Sequence, residues 1–238
     1  MDRRSVFKSL AGLAALGAAP SAATGAVIGK HTILDPGLNP ESLPQPALTG
    51  GLAFLTVAEA RTVGAVFDRL IPADELSVGA TQAGCVEFLD RQLAGDYGRA
   101  ATQYRQGPFV KGTPQQGPQF QQTPAERYRA GLAALDAYCA QAQGKAFADL
   151  TPDQQDALLT DMEGGKVDLG GTDAKAFFEL MLQNVREGYF ADPMYGGNKD
   201  MAGWKLVGFP GARYDYRDVI GKRGQKLDLP PVSLLDRG

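Results

Sequence analysis

Apolar residues recur at helical spacing in five stretches between residues 56 and 190. Thr56-Val57-Ala58-Glu59 is a capping box, with a hydroxyl and a carboxylate placed to satisfy two orphan N–H groups. Ala60, Val63, Val66, Phe67, Leu70 and Ile71 follow at intervals of three and four, which predicts a helix from Val57 to Ile71 that stops at Pro72. Thr81 opens a second helix, with Cys85, Leu89 and Leu93 on one stripe, Val86 and Phe88 beside it, and Gly95 at its end. Thr123-Pro124-Ala125-Glu126 repeats the box, with proline at the first helical position, where its missing N–H costs nothing. Tyr128, Leu132, Leu135 and Cys139 carry that helix to about Ala142. Thr151-Pro152-Asp153-Gln154 precedes a short helix bearing Leu158, Leu159 and Met162. Thr172 caps the last and most apolar helix, which holds Phe177, Phe178, Met181, Leu182, Val185 and Tyr189. No strand pattern stands out. The expected fold is mostly α: about five helices in a small bundle, with long irregular N-terminal, central and C-terminal segments.

The stretches between the helices divide the chain. Residues 1–26 read as a twin-arginine (Tat-type) signal peptide. Arg3-Arg4 is followed by Ser5, Val6, Phe7 and Lys8, then by a charge-free, mildly apolar run and the small residues Ser21 to Ala26. That run is too poor in Leu, Ile and Phe for a good spanning helix. A retained anchor and a frayed Ala-rich helix are the alternatives. Residues 27–55 hold Pro36, Pro40, Pro44 and Pro46 and read as an extended arm. Residues 56–216 form the helical domain, and 217–238 a polar tail. Within the domain, 103–122 is a Gln/Gly/Pro loop that cannot build a core.

Composition narrows the chemistry. The chain of 238 residues has a net charge of −3, and without the first 26 residues it holds 21 bases against 26 acids. An acidic body with no basic stripe argues against a nucleic-acid partner. One histidine, His31, and two distant cysteines exclude His-rich zinc sites, Cys₄ clusters and a C-x-x-C-H haem attachment in this chain. No G-x-G-x-x-G follows a strand, and there is no G-K-[ST] phosphate loop. No metal or cofactor is therefore expected in this chain. Asp90 with Glu87, and Asp161 with Glu163, could be drawn as acid–base pairs, but such spacings are ordinary on solvated helix faces. Cys85 and Cys139 both fall on apolar stripes. Three readings stay open: a disulfide closing a 54-residue loop, two buried free thiols, or a bridge from one of them to a partner chain.

The most informative segment runs Gly188-Tyr189-Phe190-Ala191-Asp192-Pro193-Met194-Tyr195-Gly196-Gly197-Asn198-Lys199-Asp200-Met201-Ala202-Gly203-Trp204-Lys205, then Leu206-Val207-Gly208-Phe209-Pro210-Gly211. So many large apolar groups need cover, and so many glycines allow close backbone approach. One reading is an ordered loop covering its own core. The sharper one is a partner-docking surface, with Tyr195, Gly196, Gly197, Asn198, Trp204 and Phe209 as its residues. A rival makes the Tyr195–Trp204 loop the pocket of a free-standing exported enzyme, with Asp192, Lys199 and Asp200 as acid and base. A further alternative is a binding module unrelated to redox chemistry.

This string resembles the signature of the gluconate 2-dehydrogenase subunit 3 family, the small or gamma subunits of membrane-bound FAD-dependent sugar and sugar-acid dehydrogenases. Phe67-Asp68-Arg69-Leu70-Ile71-Pro72, Gly79-Ala80 and Phe88-Leu89-Asp90 are similar to the opening of that family. The resemblance covers about Thr56 to Tyr216. It implies a non-catalytic accessory subunit that carries the export signal for a flavoprotein large subunit and stabilises it. FAD is then expected in the partner, and a multihaem cytochrome c subunit often completes such complexes. The expected partners are the flavoprotein, that cytochrome and the Tat translocase. The expected location is the periplasm, at the inner membrane through the complex.

Overall fold

The computed structural model describes residues 50–235 apart from 111, 117, 118 and 214, together with the backbone of 26–28 and 31–33. The chain divides into two units, residues 1–43 with 237–238, and Pro44–Asp236. In the first, β1 (Ala26–Ile28) and β2 (His31–Ile33) pair antiparallel, with Val27 opposite Thr32. Three-residue strands are too short for an alternation to show in the sequence. The export-signal residues Arg3, Arg4, Phe7 and Lys8, and most of the arm, lie outside the described residues.

The second unit is helical. Helix α1 spans Val57–Leu70, and its capping box forms as expected: the Glu59 N–H donates to Thr56 Oγ1 at 3.2 Å, and the Thr56 N–H donates to Glu59 Oε2 at 2.8 Å. Helix α2 spans Cys85–Ala94, four residues later than Thr81 suggested. Thr81 does not cap it; its N–H donates to Asp68 and its hydroxyl to the Gly64 carbonyl, which ties the α1–α2 connection to α1. Helices α3 (Pro124–Gln143) and α4 (Pro152–Glu163) carry the Thr123/Glu126 and Thr151/Gln154 boxes with proline in the first turn. Helix α5 (Ala174–Phe190) is capped by Asp173, not Thr172, with the Ala176 N–H donating to Asp173 Oδ1 at 3.0 Å. A sixth helix, α6 (Ala202–Val207), has only six residues, too few for an apolar period to declare itself. Among the described residues no helix is long and apolar enough to cross a membrane.

Helix α5 is the central element and packs on α1, α2, α3, α4 and α6. Its Phe177 meets Tyr128 edge to face at 5.7 Å, and Gly131 leaves the room that this ring fills. One face of α5 also carries a polar core. Buried Asn184 accepts from the Tyr128 hydroxyl at 2.9 Å, meets the Tyr97 hydroxyl, and donates to Glu187 Oε2 at 2.8 Å. The entering chain is clamped from two sides. Asp90, buried on α2, accepts the N–H groups of Ala53, Phe54 and Leu55 at 2.7–2.9 Å. Arg129 on α3 stacks over the Phe54 ring at 4.1 Å, donates to its carbonyl and pairs with Glu59.

Candidate docking face

Beyond α5 the chain folds back on its own helix. Asp192 caps a 3-10 turn, Pro193–Tyr195, by accepting the Met194 N–H at 3.0 Å, and Gly196 ends that turn at φ +96°. Asn198 then staples the loop. It is 0% exposed; its Nδ2 donates to the Ala191 carbonyl and its Oδ1 accepts the Gly203 N–H, both at 2.8 Å. The Lys199 N–H donates to the Ala83 carbonyl at 2.9 Å, which ties the loop to the entry of α2.

The glycines allow these backbones to meet. A Cβ on Gly197 would lie 2.2 Å from the Gly188 carbonyl oxygen, and one on Gly203 the same distance from that of Tyr189. Asn198, Asp200 and Met201 hold positive φ of 47°, 56° and 55°. Left-handed backbone costs a non-glycine residue roughly 1–2 kcal/mol, so the surrounding contacts must over-determine this turn.

Trp204, 5% exposed, donates its indole N–H to the Phe190 carbonyl at 2.8 Å and meets Phe209 edge to face at 5.2 Å. Three of the six residues named from sequence as docking contacts, Gly197, Asn198 and Trp204, are therefore interior, and that reading is corrected: they hold the loop in shape. Gly196 is half-buried and serves the turn. Tyr195 and Phe209 are the outward pair, each 46% exposed. Phe190, Leu206 and Val207 join them at the surface. Phe190 lies within the quoted string but not among the six residues named from it, because nothing in the sequence separates its exposure from the burial of Tyr189 beside it. Phe190 and Tyr195 also line an open groove of about 440 Å³, shared with Phe88, Gln92, Glu187 and Asp192.

The C-terminal tail returns to this loop. Val232 bridges Gly211 in parallel, with the Ala212 N–H donating to the Val232 carbonyl at 2.7 Å. The Ser233 hydroxyl and the Leu234 N–H both donate to the Asp192 carboxylate at 2.8 Å. A polar tail gives no periodic signal of such a return.

Most of the remaining chemical candidates have structural partners. The Asp192 carboxylate serves the turn and the tail, Lys199 Nζ reaches Glu87 at 3.4 Å, and Asp200 is exposed. Asp90 holds the entering backbone, and Asp161 pairs with Lys166 at 3.3 Å. Both cysteines are buried free thiols in the core, the second of the three readings, and no bridge joins them to each other. Burial, with help from Asp68 and Glu87, pushes the Cys85 thiol up to about 12. Burial pushes Cys139, beside Asp136, to about 11, so neither is a ready nucleophile. Among the described residues no group of three or more His, Cys, Asp or Glu side chains is placed to hold a metal ion.

The family model of gluconate 2-dehydrogenase subunit 3 matches residues 57–211, which is more than half of the 238. The chain belongs to this family. The match opens at the first residue of α1 and closes at Gly211, where the tail bridges back. The search of curated proteins gave no match. No solved structure matches. A gluconate 2-dehydrogenase subunit 3 is by its description one subunit of a dehydrogenase complex, and the mostly α fold expected of this chain is the one observed.

Proposed function

We propose that this gluconate 2-dehydrogenase subunit 3 is the non-catalytic small subunit of a periplasmic, FAD-dependent sugar or sugar-acid dehydrogenase. It carries the twin-arginine export signal for the flavoprotein subunit and remains bound to it as a stabiliser. The observation that carries this reading is the family match over a segment that exposes Tyr195, Phe209 and their apolar neighbours on a rigid loop. Rigid aromatics at a surface are efficient anchors, because little rotamer freedom is lost when they are covered. A subunit that binds only the folded flavoprotein stabilises it by mass action. In this reading FAD belongs to the partner, and a cytochrome c subunit takes the electrons onward to the membrane.

The test is co-production of the two chains, with Arg3 and Arg4 both replaced by Lys. That swap keeps the charge, so an effect on export reports receptor recognition. The expected outcome is a flavoprotein that stays in the cytoplasm with the altered subunit and reaches the periplasm with the natural one. A flavoprotein exported equally in both strains would overturn the export role.

A further inference from the structure

We infer that the groove between the ends of α2 and α5 receives an arginine side chain of the catalytic subunit, held between aromatic walls over unneutralised carboxylates; this rests on the proposed function above. The groove is lined by Phe88, Phe190 and Tyr195 on its apolar side and by Gln92, Glu187 and Asp192 on its polar side, around a volume of about 440 Å³. Glu187 is fixed by two amides: Oε1 accepts from Gln183 Nε2 at 2.7 Å and Oε2 from Asn184 Nδ2 at 2.8 Å. Asn184 is itself buried and held by two tyrosine hydroxyls, so the carboxylate is presented from a rigid base. Asp192 is fixed by the Met194 and Leu234 N–H groups and the Ser233 hydroxyl. Neither carboxylate has a cationic partner among the described residues, whereas Glu59, Asp149 and Asp156 each have an arginine. Two preorganised anions beside the half-exposed rings of Phe190 and Tyr195 complement a planar cation that stacks as well as pairs. Guanidinium does both and is more weakly hydrated than ammonium, so arginine fits better than lysine.

Gln92 provides the test, since it lines the groove and its substitution leaves both carboxylates and the Asn184 network in place. Gln92→Lys, Gln92→Glu and Glu187→Gln would be made in the full chain. Their binding to the purified flavoprotein subunit would be measured by calorimetry at about 50 and about 300 mM salt, with a melting curve for each. Gln92→Lys is expected to weaken binding at least about tenfold, Gln92→Glu to leave it as tight or tighter, and Glu187→Gln to weaken it and flatten its salt dependence. A complex that forms normally with Gln92→Lys would overturn the groove assignment and leave the proposed function standing. A natural chain that forms no complex would overturn both. Equal losses from Gln92→Lys and Gln92→Glu would replace the cation by an uncharged occupant. Self-association of the natural chain that Gln92→Lys abolishes would make the occupant a second copy, and that too would overturn the assignment. Should Glu187→Gln melt early through Asn184, the Gln92 pair alone decides.

Discussion

The capped helices and the loop after α5 are held by different kinds of contact. Each box at Thr56, Thr123 and Thr151 is made by residues three apart, and each satisfies its own helix end. Losing one such cap costs about 1 kcal/mol and leaves the others intact. The 191–211 segment has an internal staple in Asn198, but its shape depends on neighbours brought in from elsewhere: the Gly188 carbonyl on α5, Ala83 and Gly84 before α2, and the tail at Ser233 and Leu234. Its contacts are shared, so they fail together. A loop built this way presents exposed aromatics without their collapsing onto the surface, which is what a docking face needs.

The strongest way to break this contrast is Gly197→Ala. The new methyl would sit 2.2 Å from the Gly188 carbonyl oxygen, backbone against backbone, with no flexible side chain to yield. We expect a loss of about 3 kcal/mol or more, of the order seen when a packed core is overfilled. Gly144→Ala makes the control. Gly144 has a positive φ of 69° but open space around it, so only the left-handed backbone penalty of roughly 1–2 kcal/mol applies. Thermal unfolding of the two variants side by side decides. Equal losses would mean that the glycines of the loop serve conformation and not close approach.

The same contrast decides what the sequence revealed. α1, α3 and α4 were legible to within a residue at most boundaries, because caps and apolar periods are written locally. α2 was misplaced at its start because Thr81 carries the composition of a cap while its bonds go to Asp68 and Gly64. Asp90 was unreadable as the anchor of residues 53–55, since an acid on a helix looks the same whether it faces water or three buried N–H groups. The aromatic loop was recognisable as important, but its inner and outer residues were not separable. Trp204 and Tyr195 have the same amphipathic chemistry. Only the fold places the Phe190 carbonyl where the indole N–H can reach it.

Trp204 and Tyr195 sharpen the comparison within the loop itself. Trp204→Ala opens a cavity beside Phe209 and removes the donor to the Phe190 carbonyl, and we expect it to cost about 3 kcal/mol of stability. Tyr195→Ala, at 46% exposure, should change stability by no more than about 0.5 kcal/mol while weakening the complex by roughly tenfold or more. Melting of the isolated subunit and titration against the flavoprotein subunit, run on both variants, separate the two roles. If Tyr195→Ala binds as the natural chain does, Tyr195 is not an anchor. If Trp204→Ala melts normally, the assignment of Trp204 to the interior is wrong.

The smallest effect belongs to the helical side and is the only one of these that should follow pH. Burial raises the Glu59 carboxyl, but the Arg129 guanidinium and the Thr56 N–H outweigh it and leave Glu59 below its ordinary value of 4.5. A carboxyl lowered in the folded state contributes stability that is fully present above the unfolded value and is lost as pH falls through the folded one. The natural chain should therefore lose melting temperature on acidification below about pH 4.5, as the clamp between Arg129, Glu59 and Phe54 loosens. Glu59→Gln keeps a capping side chain but removes this titration, so its melting temperature should start lower at neutral pH and fall less steeply in acid. Asp156, also held low by its pairing with Arg69, titrates in both proteins and cancels in the comparison. The Gly197 and Trp204 contacts involve no titrating group, so Trp204→Ala should run parallel to the natural chain over the same range. Parallel slopes for Glu59→Gln as well would place the acid sensitivity elsewhere and remove the Arg129 clamp as a pH-dependent element of the helical core.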